Sequence, residues 1–127
     1  MDKKIGLFWL REDFRLSKNN GLIEATINHE EVVVFYLYKE NNYQNQEAQK
    51  WWLSKSLYNF KKKLSNLNIN LEIIETESFK VFFEKLVKKN DFAIYWNKVY
   101  EPDYLKFDDY IQKILMTINI YYKIYKG

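Results

Sequence analysis

The sequence predicts a doubly wound α/β domain, five parallel strands with helices on both faces, and three observations carry that prediction. Five short apolar runs are separated by stretches in which apolar residues recur every three or four positions. The first, second and fourth runs are almost continuously apolar, as strands covered on both faces must be. The order is β-α-β-α-β-α-β-α-β, and regular alternation of this kind builds a parallel sheet through right-handed crossovers.

In chain order, Ile5 to Leu10 reads as the first strand and Gly21 to Asn28 as a short helix. Val32 to Tyr38, rich in β-branched and aromatic residues, is the second strand. From Glu47 onward Leu53, Leu57, Phe60, Leu64 and Leu67 form one apolar stripe on a long helix. Ile69 to Ile74 is the third strand. Ser78 then suits the N-cap of a helix whose stripe is Phe79, Phe82, Phe83, Leu86 and Val87. Phe92 to Trp96 is the fourth strand. A last helix starts near Pro102, with Phe107, Tyr110, Ile111, Ile114 and Leu115 on one face. Ile118 to Tyr125 reads as the fifth strand. Asn70 and Glu72 interrupt the third strand, and Asn119 and Lys123 the fifth, so both suit sheet edges.

With 127 residues, 47% hydrophobic and 29% charged, the chain is the size and balance of one folding unit. Its aromatic share of 19%, alongside many Lys, Asn and Ile residues, matches the usage of an AT-rich genome. The absence of cysteine excludes disulfides, thiolate metal sites and a cysteine nucleophile; a single histidine, His29, excludes a histidine-built zinc cluster. His29 reads as a surface residue at a helix end. No apolar run is long enough to cross a bilayer and no signal-peptide core precedes the first charges, so a cytoplasmic location is expected. A net charge of +3 is too mild for a domain that grips DNA alone.

In such sheets ligands sit beyond the carboxyl ends of the strands, where strand order reverses. The three glycines, at 6, 21 and 127, leave every strand-to-helix turn without the Gly-rich loop of a P-loop or dinucleotide site. No serine has a nucleophile-elbow context. Two charged loops remain, LREDFRL after strand one and WNKVYEPDYLKFDDYI after strand four. Arg11, Asp13 and Arg15 form either a local ion-pair network or a ligand rim. Glu101 and Asp103 either cap the helix or face that rim. The two loops meet if strands one and four are neighbours.

The stretch FWLREDFRLSKNNGLIEA resembles the N-terminal signature of the DNA photolyase/cryptochrome family, W-F-R-x-D-L-R-L-x-D-N-x-A-L. Arg11, Asp13, Arg15, Leu16 and Asn20 match it, and Phe14 replaces a leucine. QKWWLSKSLYNFKKKLSNLNINLEII is similar to the family's next helix and strand, and IYWNKVYEPDYLKFDDYI to its V-Y-x-N-x-x-Y-E-P segment.

The resemblance spans essentially the whole chain and implies strand order 3-2-1-4-5. It makes residues 1–127 the equivalent of the family's N-terminal antenna domain, without the C-terminal helical domain that carries FAD. The implied function is to hold a light-harvesting chromophore, a folate, a deazaflavin or FMN, for a flavoprotein deoxyribodipyrimidine photo-lyase or cryptochrome; the chain alone would be non-catalytic. The residues it nominates for the cofactor are Arg11, Asp13 and Arg15 after strand one, Tyr38 and Lys39 after strand two, and Asn97, Tyr100, Glu101 and Asp103 after strand four. The implied partner is the helical FAD-binding domain, in cis or in trans, with DNA reached only through it and no membrane or metal involved. Tyr104 stands where folate-binding relatives carry a glutamate, and Phe107 where the family has arginine. Trp51, off the apolar stripe of its helix, is either an ordinary exposed aromatic or a contact to chromophore or partner. A stand-alone interaction module and a nucleotide-binding stress-protein-like domain are the alternatives.

Overall fold

The structure, a computed structural model, describes residues 5–11, 13–39 and 47–126, apart from the side chains of 47–52. The predicted charge at Glu12 and the Trp51 side chain lie outside that set.

Among the described residues nine elements alternate: β1 (Ile5–Leu10), α1 (Asn20–Asn28), β2 (Glu31–Lys39), α2 (Glu47–Ser65), β3 (Asn70–Thr76), α3 (Phe79–Leu86), β4 (Phe92–Asn97), α4 (Pro102–Thr117) and β5 (Tyr122–Tyr125). The strands form one sheet in the order β3-β2-β1-β4-β5, all pairs parallel. The sheet is doubly wound as expected, with β3 and β5 at its edges.

Side chains alternate across a strand, so a continuously apolar strand feeds two cores. Phe8 and Leu10 of β1, Val34 and Tyr36 of β2, and Ala93 and Tyr95 of β4 pack beneath α1 and α2 with Leu22, Ala25, Leu57, Phe60 and Leu64. Trp9, Phe35, Leu37, Phe92, Ile94 and Trp96 point the other way, to Phe83 of α3 and Ile111 and Leu115 of α4. Every residue of β4 is buried. Burying a large apolar side chain contributes on the order of 1.5–3 kcal/mol, and these two layers hold most of that gain.

Helix starts follow the side chains that can satisfy free N–H groups. Asn19 accepts from the Leu22 N–H at 3.2 Å, Ser78 from Val81 at 3.1 Å, and Glu101 from Asp103 at 3.2 Å, the last ahead of Pro102.

Three expectations need correction. The fifth strand is four residues long, because Ile118 still donates its N–H to the Ile114 carbonyl and Asn119, at φ 59°, turns the chain. Ile120 is then buried as a plug below α4, so this apolar run closes a helix before it begins a strand. His29 is buried, with Nε2 2.8 Å from the Tyr95 hydroxyl. A Cβ on Gly6 would lie 2.6 Å from the His29 ring, so glycine makes the room. Burial pushes the Tyr95 phenol above its ordinary value of 10.0. Leu67, beyond the end of α2, is exposed, and the apolar stripe stops at Leu64.

Candidate functional site

Strand order reverses between β1 and β4, and the loops after these strands meet there. Arg11 is almost completely buried. Its guanidinium grips Asp108 of α4 through Nη1 at 2.8 Å and Nη2 at 3.2 Å, and Nη2 also donates to the Asn97 carbonyl at 2.6 Å. The cation lies between two rings, 4.6 Å from the Trp9 centroid and 4.9 Å from that of Tyr104. A bidentate pair flanked by π faces recovers much of the cost of removing both charges from water.

Asn97, the last residue of β4, completes the junction. Its side-chain amide donates to Asp13 at 2.5 Å and to the Asn19 side chain at 2.6 Å, and its Oδ1 accepts the Gly21 N–H at 2.9 Å. Asn19 in turn donates to the Arg15 carbonyl at 3.0 Å. A Cβ on Gly21 would stand 2.8 Å from the Phe8 ring and 2.9 Å from Asn97 Oδ1, so only glycine lets α1 approach this closely. The crevice at the switch point is therefore filled by side chains that bond to one another, with Arg11 Nε buried and without a hydrogen-bond partner.

Open space lies beside this junction, on the α3 and α4 side of the same rim. A hollow of about 390 Å³ is lined by Lys39 at the end of β2, Ser78, Phe79 and Lys80 at the start of α3, and Glu101, Asp103, Tyr104 and Phe107 at the start of α4. Its volume is at the lower end of small-molecule sites. Tyr104 joins the two regions, since it lines the hollow and covers Arg11. Its two lysines come from β2 and α3, its two carboxylates from the start of α4, and three rings, Phe79, Tyr104 and Phe107, complete the lining.

Of the nine nominated residues, Lys39, Glu101 and Asp103 line the hollow, and Arg11 lies behind its wall. Asp13 and Asn97 belong to the junction. Arg15 is exposed, donating to the Lys18 carbonyl at 3.4 Å. Tyr38 lines a separate apolar groove against α2 with Tyr36, Leu53 and Leu57. Exposed Tyr100 faces the β5 side, with Lys98 Nζ 5.6 Å from its ring. Phe79, Lys80, Tyr104 and Phe107 were not nominated from the sequence, because their role depends on α3 and α4 opening toward one another. Among the described residues no group of His, Asp and Glu side chains could hold a metal ion, and no helix is long and apolar enough to cross a membrane.

Fold and rim together define a doubly wound α/β domain whose strand-to-helix turns carry no glycine-rich phosphate loop. Residues 6–126 match the DNA photolyase family, to which the chain belongs. Its fold is similar to that of a bacterial class III photolyase from Agrobacterium tumefaciens, with TM-score 0.84 and 21% identity over all of this chain and 26% of that one. It is also similar to an archaeal photolyase from Sulfolobus tokodaii that holds two FAD molecules, one implicated as a novel light-harvesting cofactor, with TM-score 0.80 and 25% identity over 96% of this chain and 29% of that one. The chain thus spans less than a third of either photolyase. Comparison with curated proteins gives no match.

Proposed function

We propose that this chain is the antenna domain of a photolyase or cryptochrome and holds a planar light-harvesting pigment in the hollow between Lys39, Phe79 and Tyr104. The observation that carries this reading is the hollow's make-up: three aromatic rings for a ring system, with two lysines from β2 and α3 and two carboxylates from the start of α4 for its polar ends. Energy transfer between pigments requires binding and orientation, with no bond made or broken by the protein.

Lys39 and Lys80 fit an anionic arm such as the phosphate of FMN, and Glu101 and Asp103 fit ring N–H or hydroxyl donors. When bound, the pigment supplies absorption and nothing else. The partner in this reading is a helical FAD-binding domain, in the same polypeptide or a separate one, which carries repair and contacts DNA.

Purified protein mixed separately with FMN, a reduced folate, a deazaflavin and ATP provides the test, read by absorbance and thermal shift. Expected is binding of one of the three pigments with a shifted absorption band and a Tm rise of several degrees near saturation, since ligand at about 100 times Kd stabilises by about 2.7 kcal/mol. Silence from all three pigments ends the antenna reading, and a response to ATP alone moves the protein to the nucleotide-binding class.

A further inference from the structure

We infer that α2 and the groove beside it form a binding surface for single-stranded nucleic acid, with lysines on the phosphates and an unpaired base in the groove. The inference stands apart from the pigment reading, because α2 packs on one face of the sheet and the helices that frame the hollow pack on the other.

A charge of +3 is mild for the whole chain, but it is unevenly spread. Helix α2 alone carries five lysines and one glutamate, a net +4, so everything outside it sums to −1. No carboxylate stands three or four positions from Lys55, Lys61, Lys62 or Lys63, where an ordinary solvated helix interleaves the two signs. The helix dipole accounts for cations in the last turn, Lys62 and Lys63, but not for Lys55 in the middle.

Geometry turns this charge outward. Leu57, Phe60 and Leu64 are buried, and a period of 3.6 residues puts Lys55, Tyr58 and Lys62 on the opposite side, all three exposed. Seven residues of rise set Lys55 and Lys62 about 10 Å apart along the axis. Tyr58 between them is 58% exposed, with Lys62 Nζ 5.1 Å from its ring. Against strands β2 and β3 runs the apolar groove of about 390 Å³, and Tyr58 and Lys61 line it with Tyr36, Tyr38, Leu57 and Ile73.

Cations on either side of an exposed ring, next to an apolar slot, match the chemistry of a flexible strand. Its phosphates take the charges, and a base freed from pairing takes the ring and the slot. A duplex keeps its bases stacked inside and offers the groove nothing.

Fluorescence anisotropy of the purified chain with a labelled thymidine 15-mer, a uridine 15-mer and a duplex of the same length, in about 20 mM salt, provides the test. Expected is saturable binding of one or both single strands, tighter than of the duplex. Affinity should fall about thirty-fold between 20 and 100 mM salt, the response of about three neutralised phosphates. Lys55→Gln with Lys62→Gln should weaken binding at least tenfold. Lys88→Gln with Lys89→Gln, which removes the same charge from exposed positions just beyond α3 on the other face, should change it less than twofold. Tyr58→Ala should weaken it at least fivefold while leaving the salt response unchanged, because a lost stacking contact releases no counterions. All these side chains are exposed, so Tm should stay within a degree or two in every variant. No binding to either single strand, equal losses from the two double variants, or a duplex bound as tightly as the single strands overturns the inference. None of these results bears on whether a pigment binds the hollow.

Discussion

Two neighbouring regions of one rim obey opposite rules. At the β1–β4 junction, Arg11, Asp13, Asn19, Asn97 and Asp108 bond to one another, and of their buried side-chain donors Arg11 Nε is left without a partner. A few ångströms away, behind the Tyr104 ring, the hollow between α3 and α4 has aromatic walls and charges that project from separate elements. The difference teaches that charge in a ligand-binding position need not serve the ligand. Buried polar groups cost about 1–3 kcal/mol each when unpartnered, so those at the centre of a sheet are drawn into pairing with each other.

That contrast can be broken most severely at its centre. Arg11→Ala or Asp108→Ala leaves one charge buried and unpaired, and chemical denaturation should show a loss of about 3–5 kcal/mol for either. The double replacement Arg11→Met with Asp108→Leu should recover most of the loss, because the penalty belongs to the orphaned charge. Asn97→Ala removes three side-chain hydrogen bonds and strands the Gly21 N–H; a loss of about 2–3 kcal/mol is expected in the same assay.

On the outer turn of the junction the sign reverses. Lys18 holds φ at 58°, a left-handed conformation that glycine adopts without penalty, and its side chain is exposed. Lys18→Gly should raise stability by up to about 1 kcal/mol, seen as a later denaturation midpoint. The hollow should behave differently from all of these. Lys39→Ala is expected to change stability by less than about 0.5 kcal/mol. It should nevertheless weaken FMN binding about tenfold by titration, the equivalent of one charge-assisted hydrogen bond of roughly 1.4 kcal/mol.

Much of this arrangement is legible in the sequence. Strand β1 is found at Ile5–Leu10 as read, and the edge positions of β3 and β5 follow from their interleaved polar residues. The meeting of the loops around Asp13 and Glu101 is equally legible, since alternation fixes a parallel sheet and the family signature fixes its order. What escaped was pairing across distance. Asp108 sits on the buried stripe of α4 with Ile111 and Leu115, spaced by three and four. A lone carboxylate on an apolar stripe was the available signal that a buried cation would meet it. His29 escaped for a related reason, since its burial depends on the bare backbone of Gly6, far away in sequence. The start of β5 was misplaced because Ile118 to Ile120 has the same composition whether it closes a helix or opens a strand.

The central place of β1 also governs the order in which the molecule can assemble. Its partner β2 arrives soon after it on the ribosome, but its other flank waits for residues 92–97, and the Arg11 clasp joins positions 97 apart. Contacts so remote are slow to form. Until then the nascent chain carries an open sheet border and a guanidinium without its carboxylate partner.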